Sequence, residues 1–453
     1  MSAQTSPRSR PHRPAKSQRP GVAARDVAVA LYGAVLDQRQ PLDQLLDPSA
    51  GDSGFRDLAP RDRRLARAIV ATALRRNGEI NATLSRLIAR PLPRRAGNSR
   101  RILEIATAQL LFMDVADHAV VSVALDQINV DRNARHFKGL ANAVLRRIAR
   151  EKATILSDHD AARLNTPDWL WDRWSSAYGE AMAREIAEMH LIEPGLDLSV
   201  KSDPEVWAER LGGIVLPTGS VRLIPRGPIE DLAGYADGAW WVQDAAAALP
   251  ARLLEPLDGM RVADLCAAPG GKTAALALAG ADVTAVDISA QRLDRLRNNL
   301  ARLNLKVSTV TADILKWEPA ERFDRILLDA PCTATGTIRR HPDVARLKQP
   351  EDVAALAAVQ ARMLEHAITL LKPGGTLVYC TCSLEPEEGE RQFENAVSRH
   401  GLTLLPISPD EIGGVGEVIT AAGTVRTLPC HLPASELRLG GLDGFFIGRC
   451  RRD

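Results

Sequence analysis

Cys332 in LLDAPCTATG and Cys382 in VYCTCSLEPEE each follow closely on an apolar, β-like run. Each therefore belongs at the carboxyl edge of a parallel sheet, where open α/β folds bind their ligands. A thiol kept near cations ionises and becomes a nucleophile able to form a transient covalent bond. One cysteine after a strand is more often a small hydrophobe of the core. Two at adjacent strand ends, one in DAPC and one in TCS, point to chemistry. The other four, Cys266, Cys380, Cys430 and Cys450, are too few for a disulfide-built scaffold. Cys380 and Cys382 form CxC, not CxxC, with no second cluster at zinc-finger spacing, so no metal is expected.

Upstream, RVADLCAAPGGKT places a glycine turn between a strand and a helix. A phosphate-cradling loop would need Gly where Cys266 stands, and the dinucleotide pattern GxGxxG is absent. What remains is a strand reaching Asp264, a tight turn through Pro269, Gly270 and Gly271, and a helix opening at Lys272. Backbone N–H groups at such a helix start can hold a carboxylate. S-adenosylmethionine carries a carboxylate and no phosphate. Asp287, ending the next strand, suits the two ribose hydroxyls, and Asp313, after the third, can reach the adenine amino group. One strand-end aspartate often only caps the following helix; three in order are a stronger signal.

A sulfonium donor beside two thiols suits methylation of a cytosine ring. Carbon 5 of cytosine is a poor nucleophile until a thiolate adds at carbon 6 and makes it enamine-like. The reaction needs a nucleophilic cysteine, a group stabilising the altered ring at nitrogen 3, and an acid or base for release. The chain offers Cys382, Asp329 and Cys332 for these tasks.

The elements that must position these groups are legible too. From about Trp240 onward, strand-like RVADLCA, DVTAVDIS, VSTVTAD, RILLDAP and TLVYCTC alternate with helices near 273–279, 289–303 and 351–371, and GFFIGRC closes the chain. That alternation predicts a doubly wound parallel sheet with helices on both faces. The last helix carries a stripe at Leu356, Val359, Met363, Ala367 and Leu370. Residues 153–239 read as a connector and a small α+β subdomain. In it NTPDWLWDRW opens a helix, LDLSVK is a strand and PEVWAERL is a helix, and Trp169, Trp171 and Trp174 read either as a platform that helps hold RNA or, more commonly for such residues, as aromatics that pack between domains.

The front of the chain is different. Residues 1–20 hold five basic and no acidic residues among several Pro and Ser, the composition of a disordered cationic tail. Residues 21–152 show apolar spacing of three and four, as at Ile102, Ile105, Ala106 and Leu110, and predict an all-α bundle. Over residues 1–152 there are 27 Lys/Arg against 14 Asp/Glu, and over the rest 31 against 42. Arginines cluster at Arg61, Arg63, Arg64, Arg67, Arg75 and Arg76, at Arg94, Arg95, Arg100 and Arg101, and at Arg146, Arg147 and Arg150. One end of a chain of net charge +2 is thus built for a polyanion. The segment ending KGLANAVLRRIAR, with Asn142, Arg146 and Arg147 as its best markers, resembles the NusB-type RNA-binding domain.

DAPCTATGTIRRHPD, YCTCSLEPEE and CAAPGGKT together resemble the RNA cytosine-5 methyltransferases, and with the NusB-like front end the RsmB/Sun (Fmu) family acting on 16S ribosomal RNA. The resemblance implies a multidomain protein: an all-α NusB-like bundle, a small α+β subdomain, and an α/β Rossmann-like class I methyltransferase domain over 240–453. It implies Cys382 as nucleophile and Cys332 as the thiol assisting product release. Asp329 would stabilise the base. Cys266, Ala267, Ala268, Pro269, Gly270, Gly271 and Lys272, with Asp287, Asp313 and Asp329, would line the S-adenosylmethionine pocket. The upstream WVQDAAAALP, with Gln243 and Asp244, matches the family's lead-in, whereas VARLKQP stands where members often carry a longer basic and aromatic run.

Two rivals remain at this level. A DNA cytosine-5 methyltransferase would attack with Cys332, but residues 333–453 leave little space for its target-recognition insert. A noncatalytic RNA-binding or antitermination factor would not need the cofactor loop. The first twenty positions lack the apolar stretch of a signal peptide and no apolar run of about 18 residues appears, so a cytoplasmic, metal-free monomer is expected. The resemblance implies a target cytosine read through RNA shape and an extruded base.

Overall fold

The computed structural model describes residues 21–93 and 95–453. The tail expected over 1–20 and Arg94 lie outside the described residues. The chain divides into two compact units that meet at His159 and Asp160.

The first unit is helical. Its main helices are Val22–Gln38, Pro60–Arg75, Asn77–Leu87, Ser99–Phe112, Asp117–Val130 and Lys138–Ser157. Ser99–Phe112 is buried nearly all round and forms the axis of the bundle. Amphipathic helices gain most of their stability by laying an apolar face on such a partner. Lys138–Ser157 does so with Val144, Leu145, Ile148 and Ile155. The expected boundary after residue 152 therefore falls inside one helix, because Ile155 still packs in the bundle core. Several arginines of the basic clusters are spent internally: Arg76 on Glu79, Arg100 and Arg101 on Glu104, Arg147 on Glu151. Arg61, Arg64, Arg67, Arg146 and Arg150 remain exposed.

The second unit holds two sheets. Strands β1 (Leu196–Val200), β2 (Ile214–Val215), β3 (Val221–Leu223) and β4 (Trp240–Val242) form an antiparallel sheet in the order β2-β3-β1-β4. The boundary expected between 239 and 240 cuts this sheet. Trp240 is fully buried in its core and Val242 pairs with Leu198, so cross-strand burial decides where the element belongs.

Strands β5 (Arg261–Leu265), β6 (Asp282–Asp287), β7 (Ser308–Thr311), β8 (Phe323–Asp329) and β9 (Leu371–Thr381) are parallel. With β10 (Thr403–Leu404), β11 (Val425–Thr427) and β12 (Phe445–Arg451) they build the large sheet, ordered β10-β12-β9-β8-β5-β6-β7 with β11 beside β12. Alternate residues enter opposite layers: Val262, Leu327 and Val378 one, Ala263, Ile326, Leu328, Leu377 and Tyr379 the other. The order reverses between β5 and β8, the switch point at which ligands bind such sheets.

The helix Pro350–Leu370 corrects the expected stripe. It buries Val353, Gln360, Leu364, Ala367, Ile368 and Leu370, while Leu356, Val359 and Met363 are only half-buried. A polar residue, Gln360, lies on the inner face because it has polar partners there. By length and composition this helix could cross a bilayer; here its apolar face packs on the sheet.

Buried charges join the two sheets. Arg222 grips Asp197 with two bonds of 2.5 and 2.7 Å, and Arg340 reaches Asp197, Asp244 and Asp443 at 3.3, 2.5 and 3.1 Å. Asp244 also caps the helix Ala245–Arg252. Despite burial, the Arg340, Arg339 and Arg222 charges hold its carboxyl well below the usual range. Removing one partner would strand a buried charge. Trp174 packs against His190, and its indole N–H donates to Glu385 at 3.2 Å, so this tryptophan is packing, as expected.

Candidate active site

The cofactor loop leaves β5 through Cys266 in the left-handed region (φ 63°) and enters the helix Gly271–Leu278 through Gly270 (φ 102°). A Cβ on Gly270 would lie 2.8 Å from Leu296, so conformation and space both require glycine. The loop is pinned to the next strand: Ala267 N–H donates to Val286 O at 3.1 Å and Ala268 N–H to Asp287 Oδ2 at 3.2 Å. Arg292 bonds Ala268 O and pairs with Asp287 at 3.3 Å, and Asn299 donates to Pro269 O at 3.1 Å. Asp287 also accepts from Ser289 N–H at 2.9 Å, and Asp313 caps the turn Ile314–Lys316 through Leu315 N–H at 3.1 Å. The strand-end aspartates thus cap turns and still line one edge.

Lys272 and Asp329 pair at 2.8 Å across the ends of β5 and β8. Burial works against the ammonium, but the Asp329 carboxylate paired with it keeps it charged. Asp264, fully buried beneath the loop, accepts from Thr273 Oγ1 at 2.5 Å through Oδ2, while its Oδ1 has no partner. Burial pushes its pKa up to about 7, with the charges of Asp329 and Asp287 adding to the rise and the Thr273 bond opposing it.

Cys332 and Cys382 come together with sulfurs 3.5 Å apart. Cys382 follows directly on β9, and Cys332 lies in the loop after its parallel neighbour β8. Their loops are laced together: Ala330 N–H donates to Cys380 O, Gly336 N–H to Cys382 O, and Leu384 N–H to Thr335 Oγ1, at 3.0, 3.0 and 2.9 Å. The bond with Cys382, burial, and the charges of Cys382 and Glu388 hold Cys332 firmly as a thiol. Burial does the same for Cys380, whose sulfur lies 3.5 Å from Asp329 Oδ1, and for Cys266. Cys430 and Cys450 are pushed by burial up to about 11 and about 12. Sequence reasoning passed over two further groups at this edge, Asp264 as a charge beneath the loop and Glu388. Asp264 looks like an ordinary strand-end residue and Glu388, in its acidic run, like a surface one until their burial is known.

The profile of the 16S rRNA methyltransferase RsmB/F family matches residues 251–449, and that of the NusB family matches residues 22–150. A protein of Serratia proteamaculans named ribosomal RNA small subunit methyltransferase B is 36% identical over 394 residues, covering 83% of this chain and 90% of the relative. Its Salmonella arizonae namesake is 35% identical over 393 residues with the same coverage. The chain belongs to the RsmB/F family. Among solved structures, PH0851 shares the fold with a TM-score of 0.73 at 22% identity, over 97% of this chain and 100% of that one. A methyltransferase homolog protein from Pyrococcus horikoshii scores 0.51 at 29% identity, covering 62% and 94%.

As an RsmB/F member the protein is an S-adenosylmethionine-dependent methyltransferase of small-subunit ribosomal RNA. The site fits that cofactor. Around the glycine turn Asp329 pairs with Lys272 and Asp287 with Arg292, while Asp264 lies buried beneath the turn and Asp313 caps the turn after β7, so carboxyl groups outnumber cations. Such an excess of negative charge, with an orphaned carboxylate oxygen, matches a ligand bearing a sulfonium and an ammonium.

Proposed function

We propose that this RsmB/F protein methylates carbon 5 of a cytosine in 16S ribosomal RNA through a covalent bond between Cys382 and the ring. The observation that carries the reading is the Cys332–Cys382 pair, 3.5 Å apart at the ends of adjacent parallel strands beside the cofactor loop. Residues Cys266–Lys272, with Asp287 and Asp313, hold S-adenosylmethionine, which supplies an electrophilic methyl group on a sulfonium. Cys382, as thiolate, adds to carbon 6, and the displaced electron pair passes toward nitrogen 3, where Asp329 stabilises the altered ring. Cys332 keeps its proton during this attack, and carbon 5 would then bond the methyl group as that group's bond to the sulfonium sulfur breaks, leaving the electron pair on a neutral thioether. In the second stage the carbon 5 proton is lost, the carbon 6–sulfur bond breaks, and the Cys332 thiol supplies a proton to the departing Cys382 sulfur while its own sulfur takes up the one from carbon 5.

The helical unit that ends at His159 serves to hold RNA, the segment that carries the small antiparallel sheet through Val242 connects, and the region of the large sheet performs the transfer, in a cytoplasmic monomer. Names carried by the relatives support the ribosomal substrate. Bisulfite sequencing of ribosomal RNA from cells lacking the protein identifies the cytosine that loses its mark. With the purified protein, Cys382→Ala abolishes both methylation and the RNA adduct retained on a denaturing gel. Cys332→Ala still forms that adduct and accumulates it. The reverse pattern would assign the attack to Cys332.

A further inference from the structure

Glu388 is fully buried, though it lies in the acidic run LEPEEGE, where each charge looks like a solvated one. Its carboxylate is surrounded by donors from three elements. Thr333 N–H donates to both oxygens, at 3.0 and 3.2 Å, and the Thr333 hydroxyl bonds Oε2. Ser383 Oγ donates to Oε2 at 2.5 Å. Gln360 Nε2, on the inner face of its helix, donates to Oε1 at 3.0 Å and to Pro331 O at 2.9 Å. The Glu388 carbonyl accepts from the Tyr379 hydroxyl at 2.6 Å.

The placement of these donors matters more than their number. Thr333 is the residue after Cys332, and Ser383 is the residue after Cys382. We infer that Glu388 is a positioning residue that fastens the two cysteine loops to each other and thereby decides which of the paired thiols attacks. This rests on the reaction proposed above. A buried carboxylate with this many donors is costly to form and rigid once satisfied. It acts through two routes. The hydrogen bonds fix the residues flanking the two sulfurs, and geometry of this kind governs covalent steps steeply. The negative charge adds to the bond from Cys382 and to burial in keeping the proton on Cys332. Burial raises the Glu388 pKa while the Ser383, Thr333 and Gln360 bonds favour the anion.

Glu388→Gln keeps the shape but turns an amide N–H₂ toward donors that need an acceptor. Ser383→Ala removes one donor and spares the carboxylate. For each variant of the full chain, three quantities are measured: methylation turnover, S-adenosylmethionine affinity by calorimetry, and the alkylation rates of Cys332 and Cys382 with iodoacetamide, resolved by peptide mass spectrometry. Turnover of Glu388→Gln is expected to fall about ten- to hundredfold with cofactor affinity kept. The preference of alkylation for Cys382 over Cys332 is expected to collapse, and to shift in the same direction, less far, in Ser383→Ala. A merely structural residue would lower all three quantities together and leave the preference intact. An unchanged preference in both variants overturns the inference. If the parent's adduct forms on Cys382 in the same preparations, the reaction itself stands and only the role of Glu388 is lost; if it does not, the reaction falls first.

Discussion

At the residue scale, the cofactor edge carries a carboxyl at odds with its surroundings. Asp264 is fully buried with one oxygen unpartnered and a pKa raised to about 7. A folded pKa above the unfolded value near 3.9 means that the fold favours the protonated acid. The stability it contributes is complete below about pH 4 and is lost as pH rises toward and through about 7. Asn imitates the protonated acid and keeps an oxygen for Thr273. Asp264→Asn is therefore expected to match the parent in melts near pH 4 and to exceed it by about 2–4 kcal/mol at pH 8 without cofactor. A gain that is the same at both pH values would show that Asp264 is not the titrating group.

At the scale of elements, the loops between strands and helices hold the reactive groups, and their packing leaves almost no slack. Gly336 donates its N–H to Cys382 O and accepts from Gly444 N–H at 2.8 Å, and a Cβ there would lie 1.9 Å from Gly444 O. Gly336→Ala is expected to cost about 1–3 kcal/mol, read as a lower urea midpoint, and to depress turnover more than cofactor affinity because the cysteine loop must shift. The same scale shows where pattern reading stops. Each strand bearing a site residue was legible, because apolar runs ending in Asp, Pro or Cys are distinctive. The inner face of Pro350–Leu370 was not, because Gln360 sits among its core positions and apolar periodicity is blind to a polar residue whose partners come from distant loops.

At the scale of the whole molecule, charge is divided along the chain, with the basic excess in the first 152 residues. Arg76, Arg100, Arg101 and Arg147 are partly neutralised within their own unit, so a count of arginines overstates the phosphate contacts available. Arg146 and Arg150, exposed on Lys138–Ser157, are the better candidates. Arg146→Ala with Arg150→Ala in the full chain is expected to weaken RNA binding and to make the slope of log affinity against log salt shallower by about 1–2, with cofactor affinity unchanged. Filter binding across a salt series tests this; a parallel loss at all salt concentrations would mean that neither arginine meets a phosphate.

The sequence alone determined the class of chemistry, the strand–turn–helix loop through Gly270, the order of strands and helices and the basic front end, because these depend on residue type and short-range spacing. Tertiary structure decided what depends on distance through space. It brought two sulfurs from positions 332 and 382 to 3.5 Å, gave Trp240–Val242 to the smaller sheet, and buried Asp264 and Glu388. Burial changes a carboxylate from a solvated charge into one that must find donors or a proton, and no local pattern records which aspartate or glutamate will be enclosed.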